Sequence, residues 1–252
     1  MKKIIHYKYL PYLVPGLGGI AMVMQFLLLG TVDEKGLVAS GHIGTILAWG
    51  IAAVATALVC FCVLELNGPV RYRANFPPSM VGAIGSFLAA AGIVISLIFF
   101  NPGSDVLSLF WRIFAVASVF CLIITGICRL NGARPAFFFH GVVCLFFALH
   151  LVCCCRIWSS ESQSARYGFM LLACIGLMLT GYYRSAFDAG IGTRRMQLFI
   201  SLMTCFFCLA AVPGSGTPAL YATGAAWTVT NLCVLTPPER RRRPRPAPAP
   251  ES

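Results

Sequence analysis

Eight apolar runs, set apart by short turns rich in charge, proline or glycine, limit what this chain can fold into. They fall at about residues 9–30, 43–66, 79–100, 106–128, 136–158, 167–183, 196–212 and 219–235. An α-helix rises about 1.5 Å per residue and a bilayer's hydrocarbon core is about 30 Å thick, so about 20 apolar residues cross it. Only 11% of residues are charged, against about 25% in a typical soluble domain. The expected fold class is therefore all-α: a polytopic integral membrane helical bundle of about eight transmembrane helices. Residues 1–235 form the transmembrane domain. Residues 236–252, rich in Pro and Arg, read as a disordered cytoplasmic tail.

The basic residues orient the bundle. With the N-terminus inside and spans alternating, Lys2, Lys3, Lys8, Arg71, Arg73, Arg129, Arg134, Arg184, Arg194, Arg195, Arg240 to Arg243 and Arg245 lie on the cytoplasmic side. Only Lys35, Arg112, Arg156 and Arg166 fall outside. That asymmetry is the positive-inside pattern of a plasma-membrane protein with both termini cytoplasmic. It also disposes of nucleic acid as a partner, because the formal net charge of +11 sits in caps and tail rather than on one binding face. Tyr72, Tyr182 and Tyr183 near the inner interface, and Trp111, Trp158 and Tyr167 near the outer one, fit the same orientation.

Individual spans carry further signals. The first holds Pro15-Gly16-Leu17-Gly18-Gly19, which predicts a kink or local unwinding. The third presents Gly82, Ser86 and Ala90 at four-residue spacing, a small ridge that lets another helix approach closely. Leu66-Asn67-Gly68 and Leu130-Asn131-Gly132 end two spans alike; duplication of a hairpin and reuse of a common helix stop both explain this. Twelve cysteines lie almost wholly inside the apolar runs, where they serve as small packing residues rather than a disulfide framework.

Ionisable groups within spans are costly in lipid and are the first place to look for function. Three stand out in the central hairpin: Arg112, His140 and His150. Counting from Gly132 puts Arg112 and His150 at similar depth, within about 3 Å. They are the candidate ligand-binding residues, for a small anionic ligand. Each also has a plainer reading, Arg112 snorkelling to headgroups or Asp105, and each histidine held neutral in the core. His140 and His150 lie about 15 Å apart along one helix, too far to share a metal ion. Cys205 and Cys208 lack a second ligand pair, and no paired-histidine spacing supports a haem, so no metal and no cofactor is expected. Asp33, Glu34 and His42 read as a solvated loop.

No HExxH, Walker or GxSxG motif is present, and the aqueous loops are too short for a catalytic domain, which argues against an enzyme. The leading expectation is a small transport or solute-binding membrane component. The alternatives are a non-transporting accessory or regulatory membrane protein and an intramembrane lipid-modifying enzyme. The bilayer is the obligatory partner, with other membrane subunits as further ones.

Overall fold

The computed structural model describes residues 9–29, 43–64, 71–103, 105–158 and 167–235. These form α1 (Leu10–Leu29), α2 (Ile43–Leu64), a one-turn α3 (Tyr72–Asn75), α4 (Met80–Phe99), α5 (Val106–Asn131), α6 (Phe137–Trp158), α7 (Gly168–Ala189), α8 (Arg194–Ala211) and α9 (Pro218–Thr230), with no strand among them. The loop at 31–42, the first Leu-Asn-Gly turn and the tail at 236–252 lie outside the described residues.

Seven helices are long and apolar enough to cross a membrane. The eighth apolar run departs from the expected count of about eight spans. Its helix has 13 residues and is about 20 Å long, short of the hydrocarbon thickness. The reason is local. Pro218 starts α9 where the apolar run begins, so the shortfall lies at the far end. Asn231 then ends the helix by turning its amide onto α4, donating to the Gly82 carbonyl at 2.9 Å.

Helices α4 to α8 pack each against the next, and α9 closes the ring between α8 and α4. Helices α1 and α2 attach outside the ring, chiefly through α8. Helix α9 runs antiparallel to α4; the ridge residues Gly82 and Ser86 accept from Asn231, and the closest approaches fall beside the ridge, at Gly85 and Gly92. A Cβ added at Gly85 would stand 1.8 Å from Thr230 Oγ1, and one at Gly92 would stand 1.8 Å from Thr223 Oγ1. Such proximity is how membrane helices gain dispersion energy without a hydrophobic drive between them. The first helix runs unbroken through Pro15, so no unwinding occurs; Gly18 instead admits the backbone of Phe206 on α8.

Large apolar side chains point outward, among them Phe26, Phe61, Phe99, Phe120 and Phe138. That inversion suits lipid rather than water. All twelve cysteines are free. Two ends can now be told apart. The basic end gathers the start of α4 and α8, the finish of α5, α7 and α9, and the short α3. The opposite end carries residues 212–217 and the finish of α4 and α6.

Candidate functional site

The three residues singled out by sequence do not converge. Arg112 is exposed and borders an open recess of about 620 Å³ with Asn101, Gly103, Asp105, Ser108 and Leu109. Asp105 pairs not with Arg112 but with Arg156. His150 is fully buried, and its neighbour across α5 is Trp111. The indole Nε1 donates to His150 Nδ1 at 3.2 Å. Because that nitrogen accepts, the ring's proton sits on Nε2, which faces Cys154 Sγ at 3.5 Å. Phe100 and Phe146 complete an aromatic surround. Arg112 and Trp111 are consecutive on α5, so equal depth along the hairpin brought the tryptophan, not the arginine, to His150.

His140 leads to the other end. Its Nδ1 donates to Asp188 Oδ2 at 2.5 Å, with both side chains buried, and its ring lies nearly parallel to Trp227. Arg134 donates to the Asp188 main-chain carbonyl through Nε at 2.5 Å and also through Nη2. These contacts lock the finish of α7 to the start of α6.

Next to this pair lie two arginines that the sequence placed in aqueous turns. Helix α5 continues to Asn131, capped by Gly132 at φ 64°, and α7 continues to Ala189, capped by Gly190 at φ 87°. Both glycines adopt the left-handed conformation that commonly ends a helix. The extra turns carry Arg129 and Arg184 into the bundle, where they are 4% and 3% exposed. Phe76 receives both: the Arg184 guanidinium carbon lies 3.7 Å from the ring centroid and that of Arg129 lies 5.1 Å away. Phe187 holds the phenyl ring edge-on from behind.

The hydrogen bonding of the two guanidiniums is incomplete. Arg129 Nη1 donates to the Pro77 carbonyl at 2.8 Å, while its Nε is buried without a partner. Arg184 Nε and Nη1 are both buried without one. Among the described residues the ion pairs are His140 with Asp188 and Arg156 with Asp105, so neither guanidinium meets a carboxylate. Asp188 has one free acceptor, Oδ1, also buried. The phenol of Tyr72 belongs to the same cluster. Burial raises it above the ordinary tyrosine range, against the pull of Arg184 and Arg129 and with the push of Asp188.

Residues 231–235 form a strap over this cluster. Arg194 donates to the Val234 carbonyl, Val234 N donates to the Asn75 carbonyl at 2.9 Å, Cys233 is buried, and Asn231 and Arg129 both pack against Gly82. Beyond Asn231 the strap is not helical.

A buried charge without a counter-ion costs several kcal/mol. Stacking on an aromatic face returns about 2 kcal/mol at a desolvated site, which does not close the gap for two guanidiniums on one ring. The arrangement therefore has the chemistry of an anion receptor: donors in place, charge in excess, and apolar walls that strengthen the interaction. No group of three or more His, Cys, Asp or Glu among the described residues could hold a metal. Comparison of the chain with protein-family models, with curated proteins and with solved structures finds no match.

Proposed function

We propose that this chain is a solute-binding membrane component that holds a small anion at its basic end, between Arg129 and Arg184 and beneath the strap at 231–235. The observation that carries the reading is Arg184, buried to 3% exposure with two nitrogens lacking any acceptor. The positive-inside asymmetry supports a plasma-membrane orientation with this end, and both termini, in the cytoplasm. Single cysteines introduced at Thr193 and Ser215 in a variant lacking the twelve native cysteines test that orientation: only Ser215→Cys should react with an impermeant thiol reagent outside intact cells.

A second reading, an accessory protein that binds the anion without carrying it, is favoured by the packing of the bundle's middle. Leu177, Thr180, Thr204 and Phe206 fill it, Thr180 donates to Thr204 at 3.3 Å, and Cys174 meets the Tyr221 hydroxyl at 3.1 Å towards the opposite end. Both readings share the site. Its test is thermal unfolding of purified protein with and without phosphate at fixed ionic strength, for wild type, Arg184→Gln and Arg112→Gln. Phosphate should stabilise wild type and Arg112→Gln and leave Arg184→Gln unmoved. Equal shifts in all three, or in none, would remove the site.

A further inference from the structure

Two guanidiniums without a carboxylate partner and three unused donor atoms describe the ligand more narrowly than "anion", and the unused acceptor on Asp188 narrows it again. Resting on the site just proposed, we infer that its ligand is inorganic phosphate in the form of hydrogenphosphate, HPO₄²⁻.

The charge count comes first. Arg129 and Arg184 carry one positive charge each, and among the described residues neither meets a carboxylate. Chloride, nitrate or a simple carboxylate would leave one guanidinium uncompensated in an apolar surround, which is the expensive outcome. A dianion neutralises both.

Donor geometry comes second. The Arg184 guanidinium carbon sits 3.7 Å over the Phe76 ring, and a stacked guanidinium keeps its edge for in-plane hydrogen bonds. The unpartnered atoms are Arg184 Nε and Nη1, and Arg129 Nε beside Gly82 of α4. A tetrahedral oxyanion offers several oxygens at once and matches such forks, whereas a spherical ion cannot use them together.

The acceptor decides among dianions. Asp188 stands one turn beyond Arg184 on the same buried face of α7. Its Oδ1 is buried and accepts nothing. Sulfate carries two charges but no proton to donate, so it would set a lone pair against that oxygen. A phosphomonoester dianion fails in the same way, and its monoanion has the proton but only one charge. Phosphodiester headgroups are monoanions without a donor. Hydrogenphosphate alone in this series has both two charges and one P–OH. A carboxylate acceptor left unpaired in a buried site rejects the wrong ligand strongly, because the penalty is the full desolvation of a charged group.

Access follows from the strap. Residues 232–235 are non-helical and held over the pair by Arg194 and Asn75, so admission of phosphate requires those few residues to lift rather than a helix to move.

The experiment is equilibrium dialysis of radiolabelled phosphate against purified protein at pH 7.5, in detergent and in phosphatidylglycerol nanodiscs. Sulfate, methyl phosphate and chloride serve as competitors, and Arg184→Lys and Asp188→Asn as variants. Wild type should bind one phosphate in both media, with each competitor weaker by roughly tenfold or more, as loss of a charged hydrogen bond implies. Arg184→Lys keeps the charge but loses the fork and should weaken phosphate. Asp188→Asn, whose amide can donate, should narrow the gap between phosphate and sulfate. Sulfate or chloride competing as well as phosphate, while Arg184→Lys still weakens binding, would keep the site and overturn hydrogenphosphate as its ligand. Binding in detergent that vanishes in the nanodiscs would assign the site to a lipid headgroup instead. No binding in either medium would overturn both this inference and the site.

Discussion

The seam between α4 and α9 supports the basic end, and it should fail in a graded, position-specific way. Replacing Gly85 by Ala puts a Cβ 1.8 Å from Thr230 Oγ1, 2.9 Å from Thr230 Cβ and 3.3 Å from the Ala226 carbonyl. Rotation of the threonine can move Oγ1 but not Cβ, so the helices must separate. The threonine also gives up its bond to the Ala226 carbonyl, now 2.7 Å. Overpacking of this kind costs about 1–3 kcal/mol, reduced by up to about 1 kcal/mol from the better helix propensity of alanine. Gly92→Ala meets Thr223 in the same way, seven residues along. For a chain of this size each kcal/mol lowers Tm by roughly 2–4 °C. Gly16 and Gly50 are also helical but have nothing within 4 Å of an added Cβ, so Gly16→Ala and Gly50→Ala should be neutral or slightly stabilising. Thr230→Gly removes both clashing side-chain atoms and should make Gly85→Ala nearly harmless in that background. Circular-dichroism melts of the six variants in one detergent suffice. If Gly85→Ala and Gly16→Ala shift Tm equally, α9 does not dock on α4, and the strap over the arginines has no support.

Three further outcomes follow from the geometry. Asp188→Ala leaves the buried His140 Nδ1 donor without its acceptor and should cost about 1–3 kcal/mol, whereas Asp105→Ala loses an exposed pair and should cost no more than about 1 kcal/mol; thermal melts compare them. Trp111→Phe leaves His150 Nδ1 without its donor and should cost about 1–3 kcal/mol, while Arg112→Lys, one residue on but exposed, should be silent in the same melt. Tyr72 is held above its ordinary pKa by burial. A raised folded-state pKa gives stability that is full below the unfolded value of about 10 and declines as pH rises through the folded one. Tyr72→Phe should therefore reduce the alkaline loss of stability, and Tyr182→Phe, on an exposed side chain, should not; melts from pH 8 to 11 read the difference.

Membrane helices were legible because length and hydropathy alone define them, and the starts of α2, α4, α5, α6 and α7 fall within a residue or so of the apolar runs. Their finishes were less so. Hydropathy ends a span at its first arginine, so 128 and 183 read as the limits of what became α5 and α7. The residues beyond keep the helix's own period. Ser118, Leu122, Thr125 and Arg129 share the buried face of α5, and Leu177, Thr180, Arg184 and Asp188 share that of α7. Extending each buried stripe past the charge would have found both arginines. The count of basic residues by side concealed them, since it treats every arginine near a turn as solvated. The Asp188 partner of His140, on another helix, carried no signal in the sequence, because pairing across 48 positions depends on how α6 and α7 rotate about their axes. The short length of α9 depended on where Asn231 finds an acceptor, which is equally a matter of tertiary packing.

Arsenate offers the most direct view of the central claim, since hydrogenarsenate has the shape, charge and single proton of hydrogenphosphate and scatters anomalously. Crystals of the wild-type protein grown with arsenate, measured at the arsenic edge, should show their strongest anomalous peak at the basic end. It should lie within hydrogen-bonding distance of Arg129 Nε, Arg184 Nε and Nη1, and Asp188 Oδ1. A peak only at the recess beside Arg112, or a protein carboxylate seated between Arg129 and Arg184 with no arsenic there, would contradict it.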